Sequence, residues 1–380
     1  MPVIQCPNGA TLGIGSLPHR DIADGVDFSL TATTVPTVPS FPRRSPAEGM
    51  ISQAMVGIDG ITVGQYGAIS VDTGRIGPRS RVHTDLHHEA FAGFRAFLAA
   101  TAARVTPTMA PPAAASVSEE PDPCVSAAEP AAEPPAEPPV GPAVGPPVGV
   151  QIGTVKWQLV GPVTLGLSLI RAGVPERVAF AVAIRAVRDH ISSLLDAVER
   201  ALPGCTQVVF VDEPAMADLA DSGFPLAPDT AIDLVSGALA VIEQRAVSGL
   251  HVCGEADWAS LLAAGPQVLA VPVRSSLVSS ASYIQQFLSR GGVVAWGAVR
   301  TDGPIATTAE RPWRQLCELW SQLTDRGCDS RLLRQNSVIT PECGLGMLTP
   351  TLSEHVHHMV TDIGRRVHDQ AVAAQFVVGA

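Results

Sequence analysis

Short apolar runs, each closed by Gly, Pro or a polar residue, recur along the chain at 11–17, 28–38, 154–160, 207–211, 249–253, 267–273, 292–298 and 337–340. They are rich in β-branched residues and have the length of strands. Between many of them the apolar spacing becomes helical. The clearest case is 175–200, where Val178, Val182, Val187, Ile191, Leu194 and Val198 keep close to a 3.6-residue period and Pro175 suits the first helical position. Phe91, Phe94, Phe97 and Leu98 mark a helix earlier in the chain, and Val356, Met359, Val360, Ile363 and Val367 mark a last one.

Continuous apolar strands alternating with amphipathic helices imply a parallel sheet covered on both faces. Eight such strands favour an α/β protein built as a single closed (β/α)8 TIM barrel over an open doubly wound sheet. One stretch breaks the pattern. Residues 106–149 are almost entirely Pro, Ala, Glu and Gly, with too little apolar bulk to offset the entropy of ordering them. Residues 1–105 supply only two strands, too few for a separate domain. The expected organisation is therefore one barrel from 1–105 and 150–380, with 106–149 a disordered Pro/Ala/Glu-rich insertion between the second and third strands.

Composition narrows the function. The 380 residues carry a formal net charge of −11 and no concentrated stripe of Lys and Arg, which argues against a nucleic-acid partner. No apolar stretch reaches the ~18 residues of a membrane span. The N-terminus shows no basic region followed by an apolar run, so no signal peptide is expected. Seven cysteines, an odd number in a long chain, read as reduced cytoplasmic thiols rather than a disulfide framework.

Residues able to do chemistry gather at the ends of the predicted strands. Leu250-His251-Val252-Cys253-Gly254 closes the fifth, and Pro341-Glu342-Cys343-Gly344-Leu345 follows the eighth. An imidazole and two thiolates make a zinc site with a fourth position open, although a core cysteine beside a satisfied histidine gives the same pattern. Val211-Asp212-Glu213-Pro214 ends the fourth strand and Gly15-Ser16-Leu17-Pro18-His19 the first. In a barrel these ends share one rim, where active sites lie. Asp212 and His19 are the candidate catalytic residues on it. His87, His88, His355, His357 and His358 read as solvated helix faces.

Taken in order, Ile14-Gly15-Ser16-Leu17-Pro18, Gly161-Pro162-Val163-Thr164, Val211-Asp212-Glu213-Pro214-Ala215, His251-Val252-Cys253-Gly254 and Pro341-Glu342-Cys343-Gly344-Leu345 resemble the catalytic barrel of cobalamin-independent methionine synthase. The wider superfamily includes uroporphyrinogen decarboxylase and the corrinoid:coenzyme M methyltransferases. The resemblance implies zinc held by His251, Cys253 and Cys343. It also implies that Gly15 and Ser16 bind the carboxylate of an amino-acid thiol such as homocysteine, and that Asp212 binds its ammonium. The reaction implied is zinc-dependent methyl transfer to that thiol, from a folate or a methylcorrinoid protein. This chain departs from the family twice. Where the synthase has a glutamate ligand on its sixth strand, residues 268–273 have none and Pro272 stands near the place; Glu255, Asp257 or water could substitute. The tryptophan that follows Gly-Pro-Val-Thr in the synthase is replaced by Leu165-Gly166-Leu167-Ser168. A decarboxylase and a non-catalytic barrel acting as a binding protein remain the alternatives.

Overall fold

The computed structural model describes residues 8–64, 66–104 and 152–376, so the proposed insertion at 106–149 lies outside the described residues. Two short strands, β1 (Ile61–Val63) and β2 (Ile69–Val71), pair antiparallel ahead of the main sheet. That sheet holds six parallel strands in sequence order: β3 (Thr154–Val160), β4 (Thr206–Asp212), β5 (Val247–His251), β6 (Val268–Pro272), β7 (Val293–Val299) and β8 (Ser337–Pro341). Helices α1 (Ile22–Thr31), α2 (Met50–Met55) and α3 (Ala92–Arg104) precede it. Then α4 (Pro162–Arg171) and α5 (Glu176–Ala201) follow β3, α6 (Pro228–Glu243) follows β4, α7 (Trp258–Ala263) β5 and α8 (Ala281–Ser289) β6. The chain ends with α9 (Glu310–Asp325) and α10 (Ser330–Gln335) after β7, and α11 (Pro350–Phe376) after β8.

The six strands curl into a half-barrel, and the closed eight-stranded ladder expected from the pattern is not formed. Two extended segments, around 11–16 and 35–40, span the space between β8 and β3 through isolated parallel bridges. Thr11 meets Ile339, Leu12 meets Val35, Ser16 meets Ser40, and Thr37 meets Lys156. The physical reason is local. Pro36 and Pro39 have no N–H to give to a ladder. On the first segment the N–H of Gly13 donates to Thr37 Oγ1 (3.0 Å) and that of Gly15 to Gln158 Oε1 (3.1 Å), so side chains take the place of a neighbouring backbone. The expected strand at 28–38 also begins inside a helix. Asp21 caps α1 by accepting the N–H of Asp24, and Val26 and Leu30, four apart, form its buried stripe.

Elsewhere pattern and structure agree closely. All six apolar positions read as the stripe of the helix at 175–200 are buried on α5, each worth about 1.5 kcal/mol or more. Pro175 sits one place earlier than expected, as the N-cap. A large apolar core fills the space between the strands and the helices. A smaller one, including Leu12, Val35, Val208, Phe210, Ala270 and Val338, draws from every side of the curl. Among the described residues no helix is long and apolar enough to cross a membrane.

Candidate metal centre

The register of the sheet sets the site. Asp212, the last residue of β4, pairs with His251, the last of β5, so the two stand side by side at the strands' C-terminal ends. Cys253 lies two residues past His251, and Cys343 two past the end of β8. The ligand atoms of His251, Cys253 and Cys343 all lie within 4.8 Å of one another. His251 is buried, and neither ring nitrogen has a hydrogen-bond partner. Leaving such a group unpaired costs about 1–3 kcal/mol, a cost an ion on one nitrogen would offset. Both thiols are free and half-buried. The neighbouring Cys343 sulfur holds the Cys253 thiol below its ordinary pKa, while the Cys253 sulfur and burial push Cys343 up. An imidazole and two thiols converging this closely fit a zinc ion with one position left open.

The loop carrying Cys343 is tied to the first segment. The N–H of Leu345 donates to the Ser16 carbonyl (2.9 Å) and that of Gly346 to Ser16 Oγ (3.4 Å). Gly344 leaves room for that hydroxyl: a Cβ at that position would lie 2.1 Å from Ser16 Oγ and displace it. Ser16 therefore anchors the loop that carries Cys343 and lines the cavity beside it. Gly15 lines the same cavity, but its N–H is already engaged by Gln158.

Asp212 is buried at the cavity floor. Its Oδ2 accepts from Gln158 Nε2 (2.6 Å), and its Oδ1 has no partner. Burial raises its pKa, opposed by His251, Lys156 and the Gln158 hydrogen bond. The neighbouring Glu213 does structural work. Its carboxylate accepts from the N–H groups of Val163 and Thr164 (2.8 Å each) and from Thr164 Oγ1 (2.6 Å), capping α4. Gly161 leaves room for it, since a Cβ would meet Glu213 Oε1 at 2.2 Å. The Gly161-Pro162-Val163-Thr164 motif is thus the seat of a buried cap.

Other candidates lie elsewhere. His19 does not line the cavity; its ring stacks on Phe28 (5.2 Å), which in turn meets His357 edge-on (5.0 Å). His357 is buried rather than solvated, with Nδ1 against the Ser353 carbonyl (2.9 Å). His355 bonds to the Ala306 carbonyl, and His88 Nδ1 accepts the N–H of Ala90. Among the described residues no carboxylate joins the metal group. Glu255 is exposed, and Asp257 caps α7. Glu342, beside Cys343, pairs with Arg274. Gln158, which reaches Asp212 from β3, and Lys156, which holds Gln158, carry no motif in the sequence. A glutamine within a strand has no chemical signature; the signal that could have found Lys156 is that it is the only lysine in the sequence.

The cavity over these residues has a volume of about 390 Å³. Its floor is His251, Cys253, Cys343, Asp212 and Gln158, and its walls include Val38, Pro39, Met50, Phe94 and Met347. The His251, Cys253 and Cys343 side chains thus sit at one end of a mostly apolar chamber.

Fold and site together define an α/β protein with a curled parallel sheet and a His/Cys/Cys group at its strand ends. No protein-family model matches the chain, and no curated protein matches it. Among solved structures, it is similar to a protein from Listeria monocytogenes described as a candidate vitamin-B12-independent methionine synthase. The identity is 14% and the TM-score 0.39, over 57% of this chain and 64% of that one. The match thus spans less than two thirds of that protein.

Proposed function

We propose that the chain is a zinc-dependent methyltransferase acting on a thiol, with homocysteine as the acceptor. The observation that carries this reading is the buried imidazole of His251, unpartnered at both nitrogens, with the sulfurs of Cys253 and Cys343 within 4.8 Å. His251, Cys253 and Cys343 would hold the ion. Bound there, zinc would lower the pKa of an acceptor thiol so that it reacts as a thiolate at neutral pH.

The chain's own residues bind and orient the acceptor. Asp212 Oδ1, buried and unpaired, accepts from a substrate ammonium. The Ser16 hydroxyl, whose oxygen already accepts from Gly346, has its own hydrogen free to donate to a carboxylate. With its amine and carboxylate held, the thiol end of the acceptor is fixed against the Cys253 and Cys343 side of the floor. The apolar walls exclude water from the approaching methyl donor, a folate or a methylcorrinoid protein.

The test is metal content followed by turnover. Protein purified without a metal-affinity tag should carry about one zinc per chain. Cys343→Ser should lose most of it and, with it, methylation of homocysteine. A wild-type chain that takes up no zinc from slight excess sinks the proposal.

A further inference from the structure

Lys156 is the only lysine in the chain; every other basic residue among the 25 Lys and Arg is an arginine. It is on β3, two residues before Gln158, so both side chains leave the same face of the strand. It is 1% exposed. Burying an ammonium is costly unless its donors are matched, and Val208 and Phe210, its neighbours on β4, are apolar. Packing alone would be served better by a leucine or methionine. An arginine, with its wide planar fork, makes a poor substitute for a compact point charge there.

The donors of Lys156 are all directed. Nζ donates to the Gly13 carbonyl (3.1 Å) and to Gln158 Oε1, and it faces the Phe210 ring, 5.0 Å from the centroid. Gln158 Oε1 also accepts the N–H of Gly15 (3.1 Å). Two donors therefore fix which end of the Gln158 amide is the oxygen. Flipped, its NH₂ would face an ammonium and an N–H with no acceptor between them. The amide nitrogen must point the other way, where it donates to Asp212 Oδ2 (2.6 Å). Asp212 Oδ1 is left buried without a partner in the cavity floor.

We propose that Lys156 is a positioning residue: through Gln158 it holds Asp212, at the cavity lining, with one buried carboxylate oxygen left unpaired for the ammonium of the acceptor. The proposal rests on the reading that the acceptor is an amino-acid thiol. It assigns the buried cation to substrate selection, away from the reacting sulfur.

Two measurements test it. Because there is one lysine, protein labelled with ¹⁵N at the lysine side chain gives a single ammonium signal. That signal should be protected from solvent exchange and displaced by Asp212→Asn and by Gln158→Leu. Lys156→Met should raise the KM for homocysteine about tenfold or more, the usual cost of a lost charged hydrogen bond, with a smaller effect on kcat. The preference for homocysteine over the same thiol acid without its amino group should fall by a similar factor, and zinc content should be unchanged. Gln158→Leu should reproduce that loss of preference, which keeps the test open if Lys156→Met does not fold. The proposal is overturned if the ammonium exchanges freely or ignores Asp212→Asn, or if the variants weaken both thiols equally. Should the wild type bind no thiol at all, the methyltransferase reading fails. The displacement of the lysine signal by Asp212→Asn then decides the positioning role by itself.

Discussion

His190 couples the cavity wall to acidity. It lies on α5, fully buried, with Nε2 against the Ala54 carbonyl at the end of α2 (3.0 Å) and Nδ1 against Thr84 Oγ1 (2.8 Å). The neutral ring fits this setting, with Nε2–H donating to Ala54 and Nδ1 accepting from Thr84. Burial lowers its pKa from 6.5 to about 4, the Ala54 carbonyl opposing. The unfolded chain takes up a proton near pH 6.5, the native one only near pH 4. Stability from this group is therefore complete above about pH 6.5 and falls as the pH drops towards 4. The loss at pH 4 is about 3 kcal/mol, at ~1.4 kcal/mol for each tenfold difference in proton affinity. The perturbation is His190→Gln, which keeps a donor and an acceptor but cannot titrate. Urea unfolding of both proteins between about pH 7 and pH 4 measures the difference, other titrating groups being common to the two. The wild type should lose about 3 kcal/mol relative to the variant over that range. Parallel curves would refute the argument. Because Met50 and Gln53 on α2 line the cavity, the wall should loosen along the same acid limb.

Two smaller effects should accompany it. Arg274→Ala leaves the buried Glu342 with only Arg300, 3.9 Å away, and should cost about 2 kcal/mol in thermal or urea unfolding; a neutral result would show that Arg300 replaces it. Gly249→Ala puts a methyl 2.7 Å from the Phe210 ring inside the curl and should cost about 1–3 kcal/mol, while an unchanged melting temperature would mean that the ring moves freely.

The strands of the half-barrel were legible because β-branched runs flanked by turn residues have few other uses. β3 lies where the pattern puts it, and the others differ by a few residues at their ends. The segments at 11–17 and 28–38 were misread for a reason apolar counting cannot register. Pro36 and Pro39 deny the ladder its donors, and Thr37 and Gln158 take up the N–H groups of Gly13 and Gly15. The hairpin β1–β2 has three residues per strand, too short to show a period. At the site, His251, Cys253 and Cys343 could be singled out because each lies at or just past the end of a strand. Glu213, next to Asp212 in the same motif, turns away to cap α4, which its position in the sequence does not tell. His357 looked solvated because nothing in the sequence tells that Phe28 of α1 covers that face of α11.

The irregular seam between β8 and β3 changes what holds the curl in register. Within a ladder, alignment is written in the backbone, which almost any strand-forming sequence supplies. Across the seam short sets of backbone bonds, such as Ile339 N–H to the Ala10 carbonyl, Val35 N–H to Thr11 and Val38 N–H to Lys156, alternate with side-chain hydrogen bonds of Thr37 and Thr34. Drift along β5 or β6 is absorbed so long as volume is kept. Drift at Thr37 or Thr34 removes a tie that the interrupted backbone bonding does not duplicate, so these modest polar residues carry constraints that the regular strands place on volume alone.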